Sequence, residues 1–275
     1  MEKKRVLFVS QEIMPYIEET PIGRIGRYLP QGIQEKGKEI RTFMPRYGTI
    51  NERRNQLHEV IRLSGMNLII DNNDHPLIIK VASIQQARMQ IYFIDNEDYF
   101  QRKANLYDKN GKFFDDNDER AIFFARGVLE TVKKLGWSPD IIHCHGWFTS
   151  LIPLYVKKSY RDNPLFNETK VVISIYDDDF KEEMHADISK KIKYDGVTKQ
   201  DLAYYKKTNF VNLIKAAVQY SDGIIIGSRK INKELLEYVG KSGKPVLDYQ
   251  GEEQYLEAFS DFYDKILIED PVVSR

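Results

Sequence analysis

Residues 121–147 read AIFFARGVLETVKKLGWSPDIIHCHGW and hold a helix, its stop signal and a buried strand in succession. After Asp116–Glu119, apolar residues recur at helical spacing from Ala121 through Leu135, which predicts a helix with one buried face. Gly136 predicts the end of that helix, because glycine adopts the left-handed conformation that closes many helices. The apolar residues within Asp140–His143 then predict a strand that is covered on both faces.

The same alternation of strand and helix continues along the chain. Further strands are predicted at Val6–Ser10, Ile40–Met44, Leu77–Ser83, Ile91–Ile94, Val171–Ile175 and Gly223–Ile226. Helices are predicted at about Phe210–Tyr220 and Asn232–Val239, and Asp116 with Glu119 has the spacing of a capping box. Their alternation predicts an α/β fold built on a doubly wound parallel sheet.

The domain organisation follows from where this alternation stops. Residues 1–240 are predicted to form one Rossmann-like domain, and residues 241–275 a connector and a C-terminal helix that packs back on it. Tyr255, Phe259 and Ile266 give this last helix its apolar spacing. Residues 51–73 are less regular, which indicates an insertion or a hairpin.

Composition limits the classes of function. The 275 residues include 41 basic and 41 acidic side chains, and 42% of them are hydrophobic. A sizeable core is therefore expected, whereas the balanced charge argues against nucleic acid or a membrane surface as partner. The lone Cys144 and the absence of a long apolar run favour a cytoplasmic protein.

The end of the strand at residues 140–143 is the first candidate site. His143 and His145 lie two residues apart and so share a face, next to Cys144, Gly146 and Trp147. Two histidines and one cysteine on the other face make a poor zinc site. The pair is either buried and hydrogen-bonded, or else His145 and Trp147 contact a sugar.

Two other strand ends carry weaker signals. Asp177, Asp178 and Asp179 follow a strand and could hold a divalent cation, but adjacent acids more often form a solvated turn. The turn after the first strand contains Gly23 and Gly26 without the spacing of a dinucleotide or phosphate-binding fingerprint. No cofactor or metal is therefore expected.

Several segments, in this order, resemble the N-terminal domain of bacterial glycogen synthase and plant starch synthase. They are Ser10-Gln11-Glu12 with Leu29-Pro30, Met44-Pro45-Arg46-Tyr47, Asp115–Ala121, His143–Trp147, and Leu213–Ala217 followed by Tyr220-Ser221-Asp222 and Ser228. The resemblance implies a single N-terminal lobe of a GT-B glycosyltransferase. It also implies transfer of glucose from ADP- or UDP-glucose to an α-1,4-glucan, with retention of configuration.

The resemblance also assigns candidate site residues. His145 corresponds to the family's sugar-facing histidine and is the candidate catalytic residue. Candidate substrate-binding residues are Trp147, Arg24, Arg27, Tyr176, Asp177 and Lys215. The partners implied are an α-1,4-glucan or maltooligosaccharide, a sugar nucleotide and a separately encoded synthase domain.

The chain departs from the family pattern where the donor binds. The family's Lys-Thr-Gly-Gly run falls on Glu18-Glu19-Thr20-Pro21, so an acid replaces a cation and Pro21 lacks an amide hydrogen. Gly146 replaces an aspartate, and the nucleotide-binding C-terminal domain is expected to be missing. The loss of charges aligned across the cleft predicts that this chain alone does not turn over.

Three interpretations remain open at this point. The chain could be a glucosyltransferase half completed by a partner, with Arg24 and Arg27 replacing the lysine. It could be a non-catalytic relative that binds glucan or regulates a synthase. It could also be an unrelated sugar-nucleotide enzyme on the same fold.

Overall fold

A computed structural model describes residues 3–251 and 253–268 as a mixed α/β structure. The strands are β1 Arg5–Ser10, β2 Glu39–Pro45, β3 His58–Glu59, β4 Met66–Ile70, β5 Asn73–Ile84, β6 Met89–Asp95, β7 Ile141–His145, β8 Lys170–Ile175, β9 Gly223–Ile226 and β10 Val246–Leu247. The helices are α1 Pro21–Glu35, α2 Glu97–Phe100, α3 Asn117–Leu135, α4 Ile152–Lys158, α5 Ile188–Lys191, α6 Phe210–Tyr220, α7 Lys233–Lys241 and α8 Tyr255–Ile268.

The sheet is parallel over most of its width. Its strands lie in the order β10-β9-β8-β7-β1-β2-β6-β5-β3, and every neighbouring pair from β10 to β6 is parallel. This arrangement confirms the predicted α/β fold. Because β1 lies between strands that come later in the chain, the connections wind outward in both directions from it.

The prediction of a parallel strand at Leu77–Ser83 is wrong. This segment lies within β5, which runs antiparallel to β6 with Ile78 opposite Asp95. Only a short 3-10 turn, Gln85–Ala87, separates the two strands. A parallel crossover needs a dozen or more residues, so this connection permits only an antiparallel pair. β4 forms a second antiparallel pair with β5, which confirms the hairpin alternative for residues 51–73.

Two helical layers cover the sheet, and alternate residues of β1 point into them. Leu7 and Val9 belong to the larger core, formed with α3, α4, α6 and α7. Val6 and Phe8 belong to a smaller core, formed with α1 and α8. Coverage on both faces explains the continuous apolar character of the central strands.

The helix at residues 117–135 is confirmed, but its predicted capping box is wrong. Gly136 ends the helix with φ 61°, as expected. The Asp116 side chain makes no cap hydrogen bond and instead accepts one from Nη1 of Arg102 at 2.8 Å. Glu119 accepts a hydrogen bond from the Tyr99 hydroxyl at 2.9 Å. Partners from outside the helix therefore replace the local cap.

The C-terminal segment extends the sheet and covers its smaller core. β10 pairs in parallel with β9, and Phe259, Phe262 and Tyr263 of α8 are buried against the sheet. The predicted domain boundary at residue 240 stays a prediction, while α7 runs on to Lys241. Residues 252 and 269–275 of the predicted C-terminal segment lie outside the described residues. Over the ranges the structure describes, no helix is long and apolar enough to cross a membrane.

Candidate functional site

The carboxyl ends of β1 and β7 meet at the topological switch point of the sheet. From there the strand order runs to β2 on one side and to β8 on the other. In open α/β sheets, ligands bind in the crevice at this point. The Gln11 amide donates a hydrogen bond to the His145 carbonyl at 3.0 Å, which joins the two strand ends.

Gly146 allows this close approach. Its φ is 86°, and a Cβ on it would lie 2.9 Å from the Gln11 side chain. The Gln11 Oε1 accepts a hydrogen bond from the Phe148 amide at 3.1 Å. The glutamine side chain thus fills the space beside Gly146, and an aspartate there would require it to move.

The two histidines of β7 form a buried pair with ring centroids 3.8 Å apart. His143 is hydrogen-bonded on both nitrogens, Nδ1 to the Tyr263 hydroxyl at 2.6 Å and Nε2 to the Ser174 hydroxyl at 2.7 Å. Burial, aided by the neighbouring His145, holds the pKa of His143 well below its usual value. This is the buried, hydrogen-bonded arrangement that the sequence offered as one alternative, and it makes His143 a structural residue.

His145 has one nitrogen without a partner. Its Nδ1 is hydrogen-bonded to the Tyr176 hydroxyl at 2.8 Å, while the buried Nε2 has no hydrogen-bond partner among the described residues. Burial lowers the pKa of His145 to about 3, so the ring is neutral at pH 7. A neutral imidazole can donate one hydrogen bond and accept another, and Nε2 remains for a ligand or a water to meet.

Trp147 is fixed just beyond the strand end. Its amide donates a hydrogen bond to Asp178 Oδ2 at 3.0 Å. Its indole is 2% exposed and packs against Phe113 and Phe180, with centroid distances of 5.7 and 4.9 Å. In this conformation the side chain supports the site from within and offers little surface for a sugar to stack on.

Asp178 is a site residue that the sequence did not single out from its two neighbours. Burial raises the pKa of its carboxyl to about 7, and the nearby Asp179 and Glu12 act in the same direction. Three adjacent acids were the only sequence signal, and they do not tell which one is covered. Within the described ranges, no cluster of three or more side chains has the arrangement to hold a metal ion.

A pocket of about 490 Å³ opens above these residues, and we call it the carboxyl-edge pocket. Tyr176 and Asp177 line it at the end of β8, where the Asp177 amide donates a hydrogen bond to the Ser228 hydroxyl at 3.1 Å. Arg229 and Lys230 line it from the loop after β9, and Glu12 lines it from the loop after β1. Its volume lies in the range of small-molecule sites.

The start of α1 forms the opposite wall of this pocket. Thr20 caps the helix by accepting a hydrogen bond from the Gly23 amide at 2.9 Å, and its hydroxyl donates to Glu12 Oε2 at 2.5 Å. Pro21 occupies the first turn and has no amide hydrogen. Helix starts attract anions through free amides. Here the attraction is weak, because Thr20 occupies the Gly23 amide, Pro21 has no amide hydrogen and Glu12 adds a negative charge.

The remaining predicted cations lie in different places. Arg24 pairs with Glu19 at 2.6 Å and lines a second, larger pocket beside α1. Arg27 is nearly buried and donates a hydrogen bond to Gln31 at 2.7 Å. Lys215 pairs with Glu234 of α7 at 2.5 Å and lines neither pocket. The structure brings His145, Trp147, Tyr176 and Asp177 together but leaves Lys215 outside the site.

Comparison with known proteins gives the family of this chain. Residues 5–248 match the family model described as the starch synthase catalytic domain. The chain belongs to that family. A glycogen synthase from Chlorobium limicola is 34% identical over 84% of the chain, and one from Chlorobaculum tepidum is 31% identical over 96%.

The solved catalytic domain of starch synthase IV from Arabidopsis thaliana, bound to ADP and acarbose, has the same fold. Its TM-score is 0.70 at 16% identity, over 91% of this chain and 52% of that one. The match confirms the predicted GT-B lobe. The chain spans about half the length of the curated relatives it matches, with 47% of the Chlorobium limicola protein and 52% of the Chlorobaculum tepidum protein covered.

Proposed function

We propose that this chain is the glucan-binding lobe of a glycogen/starch synthase-like retaining glucosyltransferase, and that this lobe alone does not catalyse glucosyl transfer. The reaction in question transfers glucose from ADP- or UDP-glucose to an α-1,4-glucan. Support comes from the family match over residues 5–248 and from a pocket at the switch point of the sheet.

The start of α1 is the observation that carries the second part of the proposal. Glu18 and Glu19 stand before the helix, and Glu19 holds Arg24 in an ion pair of 2.6 Å. Glu12 adds a third carboxylate through its hydrogen bond with Thr20. A sugar diphosphate approaching this wall meets acids where the family resemblance places a lysine, whereas a neutral glucan meets no such repulsion.

The roles of the site residues follow from their positions. Tyr176 and Asp177 line the carboxyl-edge pocket and contact the sugar. His145 is buried beneath them and orients Tyr176 through its Nδ1. Trp147 supports the pocket through Asp178. Arg24 lines the larger pocket beside α1. Arg27 and Lys215 act indirectly, Arg27 through its hydrogen bond to Gln31 within α1 and Lys215 through its ion pair with Glu234 of α7.

A synthase domain that faces this lobe is the partner that this proposal implies for turnover. Such a domain would supply cations for the departing diphosphate across the carboxyl-edge pocket. The buried Cys144 forms no disulfide, which agrees with a cytoplasmic location for this chain. The second candidate function is a non-catalytic glucan-binding regulator of a synthase, and the acidic start of α1 favours it because that wall disfavours the donor itself.

Two measurements test the proposal. Purified protein is incubated with ADP-glucose or UDP-glucose and maltoheptaose, and released nucleoside diphosphate is followed. We expect no release above the rate without acceptor, and turnover by the chain alone would contradict this part. Maltoheptaose and ADP are then titrated separately by calorimetry. We expect maltoheptaose to bind and ADP to bind weakly or not at all, and a protein that binds no glucan would refute the assignment.

A further inference from the structure

The larger pocket, about 850 Å³, is a groove between α1 and a second wall formed by Tyr249, Gln250, Tyr255, Leu256 and Phe259. We call it the α1–α8 groove. One wall is the side of α1, and the other comes from the residues before α8 and from its first turns. The second wall lies beyond residue 248, where the family model ends. The groove is therefore not built from the matched family region alone.

Two tyrosines are the most exposed aromatic residues of this groove. Tyr28 projects from α1 and is 46% exposed, and Tyr249 lies before α8 and is 37% exposed. A guanidinium lies over each ring, Arg27 at 5.0 Å from the Tyr28 centroid and Arg229 at 5.7 Å from the Tyr249 centroid. Such contacts hold the rings in place at exposed positions. Rigid, amphipathic rings are suited to the apolar faces of sugars.

The polar residues of the groove suit a neutral ligand. Glu19 and Glu35 contribute two negative charges to the lining and Arg24 one positive charge, and the guanidiniums of Arg27 and Arg229 lie over the two tyrosine rings, so neither sign of charge dominates the groove. Gln31 Nε2 donates a hydrogen bond to Glu35 at 2.8 Å, which presents an amide and a carboxylate side by side along α1. The hydroxyl groups of a sugar can exchange into such hydrogen bonds.

The groove continues into the carboxyl-edge pocket. Thr20, Pro21 and Tyr176 line both. A ligand that occupies both spaces must be elongated, with a repeating unit that can stack on successive aromatic rings. A linear gluco-oligosaccharide has this shape and chemistry.

We propose that the α1–α8 groove is a binding site for a linear gluco-oligosaccharide, with Tyr28 and Tyr249 as its stacking residues. The groove holds the chain behind the end that enters the carboxyl-edge pocket. This proposal rests on the proposed function, because it gives the glucan a defined path on the lobe.

The test compares three proteins by calorimetry with maltoheptaose: wild type, the double variant Tyr28→Ala/Tyr249→Ala, and the matched control Tyr28→Phe/Tyr249→Phe. Removing both rings should weaken binding about tenfold or more, since aromatic contacts dominate such sites. The phenylalanine control keeps the rings and should stay within about twofold of wild type. Circular dichroism and the thermal midpoint confirm that each variant is folded.

The possible outcomes separate this proposal from the proposed function. If wild type binds maltoheptaose and the alanine variant binds equally well, the groove proposal is overturned while glucan binding stands. If wild type binds no glucan, both are overturned. If ADP competes with maltoheptaose and loses affinity in the alanine variant, the groove is a nucleotide site and its assignment to glucan is wrong.

Discussion

The buried histidine pair and the α1–α8 groove meet at Tyr176 but differ in almost every physical respect. His143 and His145 are enclosed and neutral, and three of their four ring nitrogens have protein partners. The groove is open, and its aromatic residues Tyr28 and Tyr249 are exposed. The first region retains the residues of the family resemblance, and the second is built partly by residues beyond the family match.

The residues that resemble the family pattern therefore support the site from within more than they form the surface that contacts a ligand. His143 and Trp147 are shared with the family pattern, yet both are buried and act through hydrogen bonds or packing. The surfaces open to a ligand come from less similar segments, such as the start of α1. Substitutions in the two regions should therefore affect different properties, stability in one and binding in the other.

The largest effect is expected from His143→Ala. The change removes two buried hydrogen bonds and deprives the hydroxyls of Tyr263 and Ser174 of their histidine partner. We expect the free energy of unfolding to fall by about 3–5 kcal/mol, measured by urea denaturation. His58 is exposed, and His58→Ala should change stability by less than about 0.5 kcal/mol. Equal effects of the two substitutions would contradict the structural role of His143.

The next effect concerns the pH dependence of stability, and the comparison of wild type with His145→Gln gives the contribution of His145. Its pKa is about 3 in the folded protein and about 6.5 when unfolded, so between these values only the unfolded chain takes up the proton. Wild type should lose stability relative to His145→Gln as pH falls below about 6.5, by up to about 1.4 kcal/mol per pH unit. Above that pH the difference should be constant.

Urea midpoints at pH 7.5, 6 and 5 for the two proteins measure this difference. Asp178, whose pKa is raised to about 7, titrates in the opposite sense, but it is present in both proteins and its contribution cancels. A difference that does not change with pH would mean that His145 is not buried as a neutral ring.

The fold was largely readable from the sequence because its strongest signals are local. Continuous apolar runs predicted the central strands, and Gly136 predicted the end of α3. The antiparallel direction of β5 was missed, although the connection from Ser83 to Ile91 is too short for a parallel crossover. The cap at Asp116 failed because Arg102 competes for its side chain from a separate loop.

The candidate site was predictable only in part. His145, Tyr176 and Asp177 come at or just after predicted strands, and in the structure His145 is hydrogen-bonded to Tyr176 while Tyr176 and Asp177 line the same pocket. The orientation of Trp147 depends on the 3-10 turn that begins with it and on Phe113 and Phe180, which no spacing rule brings together. The α1–α8 groove requires Tyr28 and Tyr249 from opposite ends of the chain, so only the tertiary structure reveals it.

A smaller effect is expected from restoring the residues of the family pattern at the start of α1. Glu18→Lys/Pro21→Gly replaces an exposed acid by a cation and returns an amide hydrogen to the first turn. We expect about tenfold tighter binding of ADP, equivalent to about 1.4 kcal/mol, by calorimetry. Glu168→Lys makes the same charge change at another exposed position and serves as control. If both variants gain the same affinity for ADP, the gain comes from net charge and not from the residues at the start of α1.

The smallest expected effect, on stability, is that of Tyr28→Ala. Because Tyr28 is 46% exposed and the Arg27 guanidinium lies over its ring, its removal should lower the free energy of unfolding by less than about 1 kcal/mol. The same protein should bind maltoheptaose several-fold more weakly, whereas His143→Ala loses several times more stability. Urea denaturation and calorimetry on both variants give the two quantities directly. A loss of stability in Tyr28→Ala as large as in His143→Ala would mean that α1 and α8 depend on the groove tyrosine for their packing, and the separation between scaffold and contact surface would not hold.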